Sequence, residues 1–396
     1  MTAITYNSQP SILGLQNSRS SSAQSSSNNL TLTARKPHKF PKLVRALVRS
    51  YLVPLENVKN VEILVTDVIR LEDTGFDFPN LVQLELKFVC LSKQWDEVLD
   101  LLNHCPKLQH LVIGIYQVSL SNLFNHDLLR RRGTLEHLHL QMGLFAPVSS
   151  VVFTCKNLVV LKLVYIRVEN TSFVDLPLLK ILHLNFISVV DCPDLLQQFL
   201  SGCLNLEHLK VKIMDYRTLE EFQTLPKLVR AEIDTCVVPL EIVKNVQVLV
   251  TSRIYEQDLV FDLQNLVQLE FVTSESSEGW RDVLKVLRHC PKLQTLVISI
   301  EVDEEEAVLP YPHTVSTCIS LHLKTCCVKD YKGCAFEFQF AEYIMLNANY
   351  LRTMKFLVSS YEYDDLLRRH DMIRDLSSCS KSSNTCTLSF EKSVNF

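Results

Sequence analysis

Two stretches of this chain are nearly identical: NHCPKLQHLVI at residues 103–113 and RHCPKLQTLVI at residues 288–298. Each holds His-Cys-Pro followed by the pattern L-x-x-L-x-L, in which Leu, Ile, Val or Phe fills the apolar places. The last two apolar residues alternate with a period of two, so both side chains point to one face of a strand. One such strand cannot bury its face alone, whereas stacked copies bury a continuous apolar column. The stretch therefore predicts a repeating structural unit.

The apolar pattern recurs along most of the chain. Strong copies begin at Leu81, Leu108, Leu135, Leu158, Leu179, Leu206, Leu266 and Leu293, and weaker copies begin at Leu43, Val61, Leu228 and Val246. Successive copies start 18 to 27 residues apart, close to the period of roughly 20–29 residues in leucine-rich repeats. The sequence thus predicts an α/β fold, a leucine-rich-repeat solenoid over residues 39–311. We expect a horseshoe of short parallel strands and helices.

A duplication underlies part of this repeat. FPKLVRA at residue 40 matches LPKLVRA at residue 225, and VPLENVKNVEILVT at residue 53 matches VPLEIVKNVQVLVT at residue 238. Every matching pair in residues 40–113 and 225–298 is separated by 185 positions without a gap. The two segments should therefore fold in the same way.

Helices are predicted between the strands. In QWDEVLDLLNHCP, Trp95, Val98 and Leu102 share one helical face, and Pro106 should end that helix. Gly202 should end another, after DLLQQFLS.

A cysteine stands three residues before the first Leu of several copies: Cys105, Cys155, Cys203 and Cys290. A catalytic nucleophile needs one special environment with a neighbouring base, and a zinc site needs about four converging ligands. Neither requires the same residue at one phase of a repeat. Packing of the repeat does require it, because each copy needs a small buried residue between its helix and its strand, and cysteine packs as a small apolar residue. We therefore interpret these cysteines as structural.

The overall composition excludes several classes of protein. The 396 residues carry a formal charge of −4, and 47% of them are apolar. This balance argues against nucleic-acid binding, and no apolar run reaches the roughly 18 residues of a membrane span. With eight glycines and no glycine-rich phosphate loop, we expect no cofactor.

Thirteen cysteines without a secretory signal indicate reduced thiols in the cytoplasm or nucleus. The Ser/Asn-rich residues 1–38 predict a disordered tail, with organelle targeting as the less favoured alternative.

Several segments resemble the plant F-box/FBD/LRR-repeat protein family. HCPKLQHLVI and FLSGCLNLEHLKV are similar to the repeats of that family. Residues 312–396 resemble its FBD domain, with Tyr331 and Gly333 followed by a helix that contains Leu346-Asn347-Ala348. The resemblance implies a C-terminal FBD-like α/β cap on the solenoid. It also implies a non-enzymatic role as the substrate-recognition part of a receptor in an SCF ubiquitin ligase.

The F-box of that family, which docks on the Skp adaptor, is not found ahead of the repeats. LSKQW at residues 91–95 resembles the end of many F-boxes, but its duplicate SSEGW at residues 276–280 lies at the same phase of the repeat. We therefore interpret LSKQW as a repeat helix, which makes binding of the Skp adaptor doubtful. The alternative function is an F-box-less decoy or scaffold that binds targets without recruiting the ligase.

The residues between the apolar positions of each strand should face the concave side of the solenoid, where repeat proteins bind partners. Those that could bind an unidentified target protein are His110, His137, His139, Lys162, His183, His208 and Lys210. Such a strip would suit an acidic protein segment and would be sensitive to pH, because imidazole titrates near neutrality. Two alternatives stay open. These positions could simply vary among polar residue types, or the histidines could bind a metal, because adjacent strands lie about 4.8 Å apart.

Overall fold

The computed structural model describes most of the chain between residues 43 and 393. The described residues are 43–48, 54–67, 75–88, 95–115, 133–148, 150–169, 173–190, 195–213, 224–235, 237–251, 254, 259–273, 280–300, 310–312, 314–358 and 365–393. The Ser/Asn-rich segment 1–38 lies outside this set, so its predicted disorder stays a prediction.

The first of two compact units takes in the described residues from 43 to 203, together with Ile213. Its strands, each parallel to the next, are β1 (Arg45–Val48), β2 (Ile63–Thr66), β3 (Gln83–Phe88), β4 (His110–Ile115), β5 (His137–Val148), β6 (Val160–Glu169) and β7 (Ile181–Val190). Its helices are α1 (Trp95–Asn103) and α2 (Leu195–Gly202), with short 3-10 helices at Leu55–Val58 and Ser150–Thr154.

The second unit takes in the described residues from 204 to 393, except Ile213, the last residue of β8. Its parallel strands are β8 (His208–Ile213), β9 (Arg230–Ile233), β10 (Val248–Thr251), β11 (Gln268–Thr273), β12 (Thr295–Ile300), β13 (Thr325–Tyr331), β14 (Thr353–Val358) and β15 (Thr387–Lys392). Its helices are α3 (Leu240–Val243), α4 (Trp280–Arg288), α5 (Thr317–Leu321), α6 (Ala335–Asn347) and α7 (Leu366–Ser378).

Each of the twelve predicted copies of the apolar pattern forms one strand, from β1 to β12. The strand begins two residues after the first apolar residue, as β4 begins at His110 after Leu108. The apolar residues of neighbouring copies pair in register, so that Leu111 lies between Leu84 and Leu138, and all three are buried. Each fully buried leucine contributes about 1.5–3 kcal/mol, and this column holds neighbouring copies together. The prediction of an α/β fold with a large parallel sheet is confirmed.

The duplication is visible in the backbone. The elements β1, β2, β3, α1 and β4 recur as β9, β10, β11, α4 and β12, each with its bounds displaced by 185 residues. A tertiary hydrogen bond recurs as well. The amide of Phe78 donates to the carbonyl of His104 at 2.8 Å, and the amide of Leu263 donates to the carbonyl of His289 at 2.7 Å. The described parts of both segments therefore fold in the same way, as predicted.

The two predicted helix ends are found, although one has a different cause. Helix α1 ends at Asn103, ahead of Pro106, as the proline requires. Helix α2 ends at Gly202, but Gly202 is not among the described glycines with left-handed backbone. A side chain at Gly202 would instead collide with the backbone of Val174. Close approach of two chain segments, and not a left-handed cap, explains this glycine.

The region that resembles the FBD domain continues the parallel strand order of the second unit. Strand β13 pairs with β12, and β14 and β15 follow in sequence. The first turn of helix α6 contains the buried carboxylate of Glu337. Its Oε2 accepts hydrogen bonds from the amides of Lys332, Gly333 and Cys334, and so caps the helix. The boundary at residue 312 between solenoid and cap stays a prediction.

Candidate functional site

The residues between the buried positions of β3 to β7 form a surface that we call the polar face. It consists of Gln83, Glu85, His110, Val112, His137, His139, Val160, Lys162, Ile181 and His183. All ten side chains are partly exposed, whereas the leucines that alternate with them are buried. The period of two along each strand places these residues opposite the apolar column. The parallel register then aligns equivalent residues across neighbouring strands.

Two histidines of the polar face contact each other. His110 and His137 are register partners on β4 and β5, and their ring centroids are 4.0 Å apart. Partial burial lowers the pKa of His137, and the neighbouring His110 and Lys162 lower it further, while Glu136 acts in the opposite direction. The pair therefore favours a neutral imidazole at His137, and an added anion would favour its protonation.

A second row runs from His139 to Lys162 to His183 across β5, β6 and β7. Burial lowers the pKa of His139, and Lys162 lowers it further, whereas Glu85 raises it. Glu85 is itself held by Lys87, with 2.8 Å between Nζ and Oε1. The polar face thus carries four imidazoles and one ammonium group against one carboxylate. An acidic ligand would stabilise the protonated form of these imidazoles and so increase the positive charge of the polar face.

The structure brings together five of the seven predicted residues in the first unit, and places His208 and Lys210 on β8 in the second unit. Lys210 is paired, with 2.5 Å between its Nζ and Glu232 Oε1. Burial acts to raise the pKa of Glu232, but the hydrogen bonds and charges of Lys210 and Lys212 outweigh it and lower that pKa. Lys210 is therefore neutralised by a neighbour on β9.

Sequence reasoning missed Glu232, although a signal was present. Glu232 lies between the buried Ala231 and Ile233, at the same phase of its copy as Lys210. A further cross-strand pair joins Glu270 to Lys329 in the second unit. The strand face of that unit therefore carries balanced charges at these positions, unlike the polar face.

Metal binding by the histidines gains no support from the geometry. Within the described ranges, no group of three or more His, Cys, Asp or Glu side chains could hold a metal ion. The contact of His110 with His137 is a pair only, because the register partner of His137 on β6 is Val160. His139 instead has Lys162 as its partner, and that charge repels a cation.

The recurring cysteines lie at the buried or partly buried places that the repeat predicts. Cys105, Cys203 and Cys290 are fully buried, and Cys155 is partly buried. The thiol of Cys105 donates to the carbonyl of Leu101, and the thiol of Cys290 donates to that of Val286, each four residues earlier. Burial raises the pKa of Cys203 to about 12 and that of Cys155 to about 11. These thiols stay protonated at neutral pH, which suits packing and not nucleophilic attack.

The comparisons with known proteins agree with the family resemblance that the sequence motifs indicate. A family model described as FBD matches residues 311–356, which include β13, α6 and most of β14. An F-box/FBD/LRR-repeat protein of Arabidopsis thaliana is 27% identical over 309 residues, or 61% of this chain and 70% of the relative. The chain is thus similar to plant F-box/FBD/LRR-repeat proteins, both in its FBD region and over the longer alignment.

Two further relatives extend this match. A second F-box/FBD/LRR-repeat protein of Arabidopsis thaliana is 23% identical over 405 residues, covering 76% of this chain and 93% of the relative. A putative FBD-associated F-box protein of the same plant is 27% identical over 205 residues, covering 48% and 45% of the two chains. Within the residues that the structure describes, no helix is long and apolar enough to cross a membrane.

Proposed function

We propose that this chain is a non-enzymatic interaction protein whose polar face binds an acidic segment of a target protein. The relatives named for F-box, FBD and LRR repeats support a role in interactions related to ubiquitin ligation. The observation that carries the proposal is the register of His110, His137, His139, Lys162 and His183 on neighbouring strands. We further propose that the strands form the horseshoe of a leucine-rich-repeat solenoid.

Lys162 would act as the fixed positive charge of this surface. It lies between His139 and His183 in the second row, so one carboxylate could reach Lys162 together with either imidazole. The ligand's negative charge favours protonated imidazole, so binding would take up protons. Affinity should therefore rise as the pH falls below about 6.5, the ordinary pKa of histidine. The increase is at most about tenfold per pH unit for each proton taken up.

Charge reversal with a matched control tests this proposal. Fluorescence anisotropy of a labelled Glu-rich decapeptide would be measured with the full chain and with Lys162→Glu and Lys107→Glu variants. Lys107 precedes β4, is exposed, is not one of the ten residues of the polar face, and donates to Asn80 Oδ1 at 3.3 Å. We expect Lys162→Glu to weaken binding about tenfold or more, because an attraction becomes a repulsion near partly buried groups. Equal losses in the two variants would show that only net charge matters, and would refute the proposal.

Recruitment of a ligase is tested separately, by a pull-down of the full chain with purified Skp adaptor. Binding would support the receptor role that the resemblance implies. A folded chain that binds acidic peptide but not the adaptor would support the decoy or scaffold alternative.

A further inference from the structure

Three aromatic residues beside the polar face have an unusual backbone. Phe145, Tyr165 and Phe186 have φ angles of 33°, 54° and 52°, in the left-handed region that bulky side chains seldom adopt. They lie on the consecutive strands β5, β6 and β7. Such strain persists only where the surrounding structure imposes it, and it often marks a functional site.

The strain arises from residues inserted at one level of the sheet. On β6, Val164 pairs with Asn185 and Arg167 pairs with Ser188, so Tyr165 and Phe186 occupy equivalent places. On β5 the register shifts between Gln141 and Ala146. Each insertion breaks the alternation of the strand in the manner of a β-bulge, and bulges re-aim side chains.

The three rings form one row of contacts, which we call the aromatic ladder. Tyr165 and Phe186 are stacked at 4.8 Å with an angle of 7° between the rings, and Phe145 meets Tyr165 edge-on at 5.9 Å. Tyr165 remains 36% exposed and Phe186 40% exposed. Burial of these rings therefore does not explain why the chain holds three strained aromatic residues in a row.

The aromatic ladder lies at a fixed distance from the charged row of the polar face. Tyr165 follows Lys162 by three residues, and Phe186 follows His183 by three residues, which is about 10 Å along a strand. Stacking covers one face of Tyr165 and one face of Phe186, so both rings keep exposed surface that a further ring could contact. A ring edge attracts the face of another aromatic ring.

We propose that the aromatic ladder anchors an aromatic side chain of the same acidic segment whose carboxylates bind at Lys162. This inference rests on the proposed function and names the class of segment that it takes. An extended partner advances about 3.3 Å per residue, so its acidic and aromatic residues should be separated by two intervening residues. Single-stranded nucleic acid also combines charge with stacking bases, but it binds in grooves where several cations follow the backbone. Lys162 is the one lysine or arginine among the ten residues of the polar face, which favours a peptide with few charges.

A displayed library of random twelve-residue peptides, selected on the immobilised full chain, tests the proposal. We expect enriched peptides with acidic residues and an aromatic residue about three positions apart. Acidic peptides without aromatic enrichment would overturn the role of the ladder and leave the proposed function standing. Enrichment without acidic residues would overturn both. Tighter binding of an oligothymidylate than of the enriched peptides would also overturn the peptide assignment.

Glycine substitution separates a binding role from a structural one. Glycine adopts a positive φ freely, so a Tyr165→Gly/Phe186→Gly variant should keep or raise the thermal midpoint of the chain. The same variant should bind the enriched peptide about tenfold more weakly. Phe173→Ser is the control, because Phe173 is 60% exposed and lies outside the ladder. Unchanged affinity in the double glycine variant would refute the inference, and so would an equal loss in the Phe173 variant.

Discussion

Replacing Gly202 with alanine should destabilise the first unit, although alanine is the better helix former. Gly202 is the last residue of α2, and its carbonyl accepts a hydrogen bond from the amide of Leu176 at 3.1 Å. A Cβ at this position would lie 2.8 Å from the carbonyl carbon of Val174 and 3.1 Å from its Cγ1, and closer still to its carbonyl oxygen. The two segments must therefore separate by several tenths of an ångström or more.

Neither segment can yield without cost. The amide of Asp175, next to Val174, donates to the carbonyl of Phe153 at 2.8 Å. On the other side, Phe199 of α2 packs edge-on against Phe153 at 5.1 Å. Overpacking typically costs about 1–3 kcal/mol, and loss of one backbone hydrogen bond adds about 1 kcal/mol. The higher helix propensity of alanine offsets at most about 1 kcal/mol of this loss in stability. We expect a net loss of about 1–3 kcal/mol.

The assay is urea unfolding of the full chain followed by circular dichroism, with Gly133→Ala as the matched control. A Cβ at Gly133 would meet only Asn157 Nδ2, at 3.9 Å, which is ordinary contact. The control should unfold at the wild-type urea concentration, and Gly202→Ala at a clearly lower one. A Gly202→Ala variant as stable as the wild type would show that propensity outweighs the close approach, and would refute this reasoning.

Three further outcomes follow from buried titratable groups. The pKa values of His137 and His139 are lowered by burial, so the unfolded chain takes up protons first as the pH falls below about 6.5. Urea midpoints should decline from that pH downward, and His139→Gln should reduce the decline; an identical profile in that variant would contradict this. Cys203 and Cys290, buried and with raised pKa values, should resist iodoacetamide at pH 8 until the chain is denatured, as read by mass spectrometry. Labelling of the folded chain at either thiol would overturn their structural role. Glu337→Ala should cost about 3 kcal/mol in urea unfolding, because three amides lose their acceptor. Glu337→Gln keeps an acceptor oxygen and should cost less, and equal costs would contradict the capping role.

The repeat made the strand order and register predictable from the sequence. The pattern that begins at Leu108 places Leu111 and Ile113 inward, and the same phase in every copy aligns the strands. The contact of His110 with His137 follows from that register alone. The length of the strands could not be predicted in the same way, because β6 and β7 continue for ten residues each, past their inserted aromatic residues.

The aromatic ladder and the charge pairs left weaker signals in the sequence. A residue with left-handed backbone is usually Gly, Asn or Asp. Tyr165 and Phe186 are none of these, so nothing in the sequence indicated that conformation there. The pairing of Lys210 with Glu232 was encoded, since both occupy one phase of adjacent copies. That this pairing neutralises Lys210 could be seen only from the distance between the two side chains. The end of α2 at Gly202 was predicted, but its cause depends on Val174, a distant residue in sequence whose approach no local pattern shows.

Zero-length carbodiimide cross-linking tests most directly whether the polar face is the binding surface. The reagent joins a carboxylate to a lysine amine only where the two are in contact. Lys156 is an exposed residue ahead of β6 that forms an ion pair with Asp175. With an acidic peptide and the full chain, we predict that mass spectrometry finds the peptide joined to Lys162, and not to Lys107 or Lys156. Links to Lys107 or Lys156 with none to Lys162 would contradict the account and place the acidic ligand on another surface.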